Sequence, residues 1–149
     1  MVNKIKKDVV TILPYYNNKI LLQLRDFKED IYCPGMWGFF SGSIEEGELP
    51  LVAAKRELFE EINYVPNNIK FLGCFEIPLE YKNASIYYFH LDIPIEKLIL
   101  NEGADLGFFS YEEIVLNKLI SKKFKKEYSL INSEFIPHIV KLVLKKIHK

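Results

Sequence analysis

The segment from Pro50 to Ile62 can be buried on one side only, and that fixes what the rest of the chain must provide. On a helical wheel at about 100° per residue, Leu51, Ala54, Leu58 and Ile62 fall within roughly an 80° arc. Arg56, Glu57, Glu60 and Glu61 fall within roughly a 140° arc on the other side. Pro50 suits the first turn, where its missing N–H costs little. The aliphatic stripe needs an apolar surface to lie on, and the remaining sequence supplies strands. Asp8 to Leu13 and Lys19 to Leu24 are rich in β-branched and aliphatic residues and flank Asn17-Asn18, the pattern of a hairpin. Trp37 to Phe40, Ile69 to Phe75, Ser85 to Asp92 and Leu106 to Phe109 read as further strands. Asp26 to Gly35 and Gly42 to Gly47 read as loops. Ser110 opens a helix with Glu113 as its capping-box partner. From Ser133 to Ile147, Ile136, Ile139, Val140, Val143 and Leu144 recur at helical spacing. Strands mixed with a few helices predict a layered α/β fold. The length of 149 residues suits one domain spanning 1–149.

The polar side of the helix is harder to explain by folding alone. Glu57 and Glu61 stand four apart, a like-charge spacing that weakens a helix by a few tenths of a kcal/mol. Glu60 and Glu61 occupy the last turn, where the helix dipole disfavours negative charge. A bound divalent cation would reverse the sign of the repulsion. Hard cations such as Mg²⁺ take oxygen ligands, typically carboxylates together with waters and phosphates. On the helix alone, a solvated face with Arg56 and Glu60 as an i,i+4 pair explains the pattern equally well.

Bulk properties narrow the field. A chain that is 49% hydrophobic and 14% aromatic is not expected to be disordered. A formal net charge of +0 argues against bulk nucleic-acid binding. The basic run at Lys122, Lys123, Lys125 and Lys126, and the later Lys141, Lys145, Lys146 and Lys149, read as solvated faces. Cys33 and Cys74 lie far apart with no CxxC pair, so neither a disulfide scaffold nor a zinc site is expected. There is no apolar run long enough to span a membrane and no signal-peptide core in MVNKIKKDVV, which predicts a cytoplasmic protein without a membrane partner.

The whole stretch GSIEEGELPLVAAKRELFEEINY resembles the signature box of the Nudix hydrolases. That pattern is Gly, five residues, Glu, seven residues, Arg-Glu-aliphatic, one free residue, Glu-Glu, one free residue, Gly, aliphatic. Gly42 begins it, Glu48 follows after five residues, and Arg56-Glu57-Leu58 after seven more. Phe59 is the free position and Glu60-Glu61 complete the acids. So many fixed residues at fixed spacing make a specific signal. Two positions depart: Asn63 stands for the glycine and Tyr64 for the aliphatic. Asn is the usual substitute for glycine in a left-handed helix cap, and Tyr64 is a large apolar body. Upstream, Ser41 replaces a residue that is commonly glycine, and whose carbonyl helps bind metal in some relatives. The segments ILLQLRDFKEDIYCPGMWGFFSGSIEEGE and NEGADLGFFSYEEI extend the resemblance over roughly residues 8 to 115.

The resemblance implies an α/β/α sandwich with a mixed sheet and a loop-helix-loop box. It implies hydrolysis of a pyrophosphate linkage in a nucleoside diphosphate derivative, with Mg²⁺ as cofactor and Mn²⁺ as the alternative ion. Glu57, Glu60 and Glu61 become the metal-binding acids, and Arg56 the group that orients them. Glu48, with Gly42, supports the box loop. Glu57 and Glu102 are the candidate bases, and Glu102 is also a candidate metal ligand. Arg25 is the candidate phosphate-binding residue, with a surface ion pair to Asp26 or a neighbour as the alternative. Trp37, Phe39 and Phe40 are assigned to core packing more than to base stacking. Tyr15 and Tyr16 are freer to meet a ligand, and His90 receives no role. The expected partner is a small-molecule nucleotide, with a lean to nucleotide sugars over dinucleotides and nucleoside triphosphates, and the resemblance allows a homodimer, as in many relatives. A non-catalytic nucleotide-binding regulator is the alternative of another class. A diphosphate isomerase using Cys33 or Cys74 is a third.

Overall fold

In a computed structural model, which describes residues 6–148, the sheet is built on its longest strand, β1 (Lys7–Tyr16). Residues 1–5 and Lys149, and with them half of the charged N-terminal segment, lie outside the described residues. Successive β1 side chains point to opposite faces: Val9 and Leu13 enter one apolar cluster, Val10 and Ile12 the other. Asn17 and Asn18, with φ of 52° and 61°, turn the chain into β2 (Lys19–Leu24). Two positive φ values in a two-residue loop match the twist of a hairpin. The hairpin strand is longer than the apolar run alone predicts, because Pro14, Tyr15 and Tyr16 continue the ladder that β1 makes with β6 and β2.

The two strands pair only at Tyr15–Ile20 and Tyr16–Lys19 and then part. The Trp37–Ser43 segment crosses the gap. Its first piece, β3 (Trp37–Gly38), pairs with β2, and its second, β4 (Phe40–Ser43), pairs with β1. The expected single strand from Trp37 to Phe40 is therefore two strands that change partner at Phe39. Gly42, expected in a loop, lies inside β4 opposite Val10.

Helix α1 (Pro50–Ile62) lies on one face of the sheet, with Ala53, Ala54, Leu58 and Ile62 packed on Val10, Ile12, Leu21 and Phe40. Strand β5 (Lys70–Ile77) runs antiparallel to β6 (Lys82–His90), and β6 runs parallel to β1 from Lys7–Lys82 to Tyr15–His90. Strand β7 (Asp105–Phe109) pairs with β2 on the edge away from β1. Helix α2 (Tyr111–Leu116) opens with the capping box of Ser110 and Glu113. A small hairpin, β8 (Ile120–Ser121) and β9 (Lys126–Glu127), follows; two-residue strands carry no readable period, and the sequence gives no sign of them. Helix α3 (Phe135–Ile147) covers the second face with Phe135, Ile136, Ile139, Val140 and Val143. The result is the α/β/α sandwich with a mixed sheet. Among the described residues no helix is long and apolar enough to cross a membrane.

Candidate active site

The site forms where α1 is pressed against β4. A Cβ on Gly42 would fall inside the Glu57 carboxyl group, so the absence of a side chain is what admits that carboxylate. Arg56, on the same helix, organises the surroundings. Its Nε and Nη2 donate to both oxygens of Glu48 at 2.8 and 2.9 Å, a bidentate pair. Nη2 also reaches the Ser43 carbonyl at 3.0 Å, and Nη1 reaches Glu57 at 2.9 Å and Glu60 at 3.3 Å. One guanidinium thus ties the loop before α1, the end of β4 and two of the box acids. Glu48 also accepts the Glu45 N–H at 3.0 Å. Its hydrogen bonds from Arg56, and then from Glu45, hold its carboxyl down at about 2, while the Arg56 guanidinium is held more firmly in its charged form.

The acids differ in environment. Glu60 is exposed, Glu57 is half-buried, and Glu61 is only 5% exposed. This corrects the expectation of three carboxylates on an exposed face. On the wheel Glu61 stands only about 20° from Ala54, at the border of the apolar stripe, and the sheet covers it. Leu51, expected in the buried stripe, is 40% exposed, and Ala53 is buried instead. Burial pushes the Glu61 carboxyl up to about 9, with the negative charges of Glu57 and Glu102 adding to it and Arg25 opposing. Glu57 is raised by burial too, against its Arg56 hydrogen bond, and further by Glu60 and Glu102. Glu61 Oε2 is buried without a hydrogen-bond partner among the described residues. An orphaned buried carboxylate oxygen is costly unless something binds it.

Glu102 reaches this place through its loop. The Asn101 and Glu102 N–H groups donate to the Glu61 carbonyl at 2.8 and 3.4 Å. Gln23 Nε2 donates to the Glu102 carbonyl at 2.7 Å, and Asp26 accepts the Gly103 N–H at 3.2 Å. Neither role is expected from the sequence, where Asp26 figures only as a partner for Arg25; a lone Gln in the aliphatic strand KILLQL is the one signal for Gln23. Arg25 makes no ion pair with Asp26, whose carboxylate serves the Glu102 loop. Its Nε donates to the Tyr32 carbonyl at 2.6 Å instead.

Two hollows meet at Arg25 and Ser41. One, of about 410 Å³, is lined by Gln23, Asp26, Lys28, Glu61 and Glu102. The other, of about 250 Å³ on the α3 side, is lined by Lys7, Tyr32, Phe39, Glu80, Lys82 and Asn132. Glu80 accepts from Asn132 at 2.9 Å and from Lys82 at 3.4 Å, a polar network the sequence did not reveal. Trp37 and Phe40 are fully buried in the two cores, and only Phe39 of the three aromatics borders a hollow. Tyr15, Tyr16, His90, Cys33 and Cys74 line neither one.

The residues present fit a divalent cation chemically. They offer oxygen donors only, one of them orphaned and buried, and a carboxylate cradled against a glycine. As they stand, no three His, Cys, Asp or Glu side chains among the described residues are grouped to enclose an ion.

Comparison with known proteins agrees with this architecture. An RNA pyrophosphohydrolase from Psychrobacter sp. (strain PRwf-1) is 37% identical over 59 residues, 40% of this chain and 34% of that protein. The match thus spans about a third of that curated relative's length. Among solved structures, the MutT protein from Methanosarcina mazei Go1 superposes with a TM-score of 0.72 at 16% identity, over 100% of this chain and 99% of that one. The NUDIX domain of Shewanella oneidensis NrtR, complexed with ADP ribose, gives 0.69 at 15% identity over 97% and 90%. The E. coli ORF135 protein gives 0.64 at 22% over 96% and 94%. The family model described as NUDIX domain matches residues 6–130, from the first strand through the β8–β9 hairpin, and the chain belongs to that family.

Proposed function

We propose that this chain, acting as one domain, hydrolyses a pyrophosphate linkage in a nucleoside diphosphate derivative with Mg²⁺, or Mn²⁺ in its place. The observation that carries the reading is the unpartnered, buried oxygen of Glu61, set beside Glu57 and Glu102 and braced by the Arg56 clamp. Glu57, Glu60, Glu61 and Glu102 would hold the ion. Bound there, it would neutralise pyrophosphate oxygens and acidify or orient the attacking water. Arg56 keeps Glu57 and Glu60 in register with the loop through Glu48. Arg25, at the junction of both hollows, binds a substrate phosphate. Glu102 receives the water's proton: its loop is pinned through the backbone, while Glu57 already accepts from Arg56.

The α3-side hollow, with the Glu80–Asn132–Lys82 network, holds the group beyond the phosphates. A nucleotide sugar is our first choice for that group and a nucleoside triphosphate the second. The Shewanella domain is complexed with ADP ribose and the Psychrobacter relative is named for RNA, so both classes belong in the test. Nucleotide sugars, dinucleotides, nucleoside triphosphates and 5′-triphosphorylated RNA are incubated with and without Mg²⁺ and the products read by mass spectrometry. Metal-dependent release of a nucleoside monophosphate or of pyrophosphate, lost in Glu60→Gln, is the expected result. Metal-dependent ligand binding with no turnover would transfer the chain to the regulatory-binding class.

A further inference from the structure

Beside the acid hollow lies a surface that the hydrolytic reading does not use. Phe27 and Phe124 are exposed at 48% and 39%, although they come from distant parts of the chain. Their rings meet edge to face at 5.2 Å, and Phe27 also stands 5.4 Å from the ring of Tyr128. Tyr128 rests on the α3-side core, so the cluster is anchored from below. Phe27 lies close over the backbone of Gly35, where a Cβ would come within 3.0 Å of the ring. The aromatic platform is thus held in place yet open to solvent.

Lysines surround it. Lys122, Lys123, Lys125 and Lys126 form the tip of the β8–β9 hairpin, and Lys28 follows Phe27. All five are exposed, and among the described residues none stands in an ion pair. Lys123 Nζ lies 5.3 Å from the Phe124 ring centre and Lys126 Nζ 5.6 Å from that of Tyr128. Asp26, Glu29, Asp30 and Glu127 share these segments, so the lysines outnumber the acids five to four, and Asp26 is engaged by the Gly103 N–H. The patch is continuous with the acid hollow: Asp26 and Lys28, on either side of Phe27, line it, and Lys123 donates to the Ala104 carbonyl, next to Gly103 in its wall.

We propose that this face binds single-stranded nucleic acid, with bases stacked on Phe27 and Phe124 and phosphates met by Lys28, Lys122, Lys125 and Lys126. Flexible cations beside exposed rings match a strand that offers a charged backbone and flat bases. An acidic peptide would use the lysines and leave the rings without a partner. The strand's 5′ end points to the acid hollow; that clause alone rests on the pyrophosphate reading of the site.

The test is fluorescence anisotropy with a 5′-monophosphorylated, 3′-labelled RNA hexamer in EDTA, beside a DNA hexamer of the same sequence and a labelled polyglutamate. Phe27→Ala and Phe124→Ala each weaken oligonucleotide binding roughly tenfold. Phe27→Tyr and Phe124→Tyr keep it, which separates loss of a ring from loss of fold. Lys125→Gln and Lys126→Gln each reduce the slope of log affinity against log salt by about 0.7. A preference for RNA or for DNA names the strand. The proposal is overturned if the hexamer binds no tighter than a nucleoside monophosphate, if polyglutamate binds equally well, or if the ring variants bind as the wild type does. Glu60→Gln retains hexamer binding. If the wild-type chain binds the hexamer through its rings yet hydrolyses nothing, the surface stands and the pyrophosphate reading fails.

Discussion

At the scale of single residues, Gly42 and Arg56 decide whether the carboxylates are usable. Gly42 has no unusual backbone conformation to satisfy; it lies in a regular strand, and its requirement is space. Gly42→Ala must expel the Glu57 carboxyl from its cradle. The expected result is a fall in kcat/KM of roughly 100-fold, because small misplacements of reacting groups carry penalties of that order. Stability, read from denaturant melts, should fall by the ~1–3 kcal/mol typical of overpacking. Wild-type kinetics in that variant would show that Glu57 has no part in the chemistry. Arg56→Lys keeps the charge and loses the fork that holds both Glu48 oxygens. The Glu48 carboxyl should then titrate nearer its ordinary 4.5 than the folded value of about 2, as followed by NMR, and kcat should fall with it. The meeting of Gly42, Glu48, Arg56 and Glu57 was legible at the residue scale because the spacing from Gly42 to Glu61 leaves few alternatives. The burial of Glu61 was not, since a wheel places a side chain in azimuth and says nothing of how far the sheet extends beneath it.

At the scale of elements, α1 shows why some boundaries can be read and others cannot. Both its ends carry a local chemical signal: Pro50 opens it, and Asn63 closes it at φ 53° with its N–H donating to the Phe59 carbonyl. Asn63 thus occupies the left-handed cap in which the family carries glycine, and Tyr64 beyond it stacks on Phe89 within the α1-side core. Asn63→Gly should change stability by no more than ~0.5 kcal/mol, whereas Asn63→Val should lose about 1–2 kcal/mol, both read from denaturant melts. Equal loss in the two would mean that the Asn side chain, not the backbone conformation, closes the helix. Strand β4 has no comparable signal. Its sequence, Phe40 to Ser43, is small and polar after the first residue, and it is a strand only because the parting of β1 from β2 leaves a free edge opposite Val9 to Ile12. The β8–β9 hairpin is likewise a tertiary product, held by Ser121 donating to Asp105 at 2.6 Å and by Trp37 donating to the Leu119 carbonyl at 3.0 Å. Neither contact can be inferred from local pattern.

At the scale of the whole molecule, the opposed titrations of Glu48 and Glu61 make stability a function of pH. Glu48 titrates near 2 in the folded chain against an ordinary 4.5, so its contribution is complete above 4.5 and disappears as pH falls through 2. Glu61 titrates near 9, so folding favours its protonated form. That contribution is complete below 4.5 and is lost as pH rises through 9, and the half-buried Glu57, also raised, acts in the same direction. Without metal, the protein should be most stable in mild acid and lose on the order of a few kcal/mol toward alkaline pH. A cation at the site needs the ionised carboxylates, so Mg²⁺ should restore stability on the alkaline side and leave the acid side unchanged. Thermal melts across this range, in EDTA and in Mg²⁺, read the effect without any substrate. Glu61→Gln removes the titrating group and keeps the shape. It should flatten the alkaline decline in EDTA, be more stable than wild type there, and lose most of the gain from Mg²⁺. Glu60→Gln, whose side chain is exposed, should keep the decline and weaken only the response to Mg²⁺. If both variants follow the wild-type curves, the buried carboxylate does not link this fold to a cation, and the proposed ion site on α1 fails.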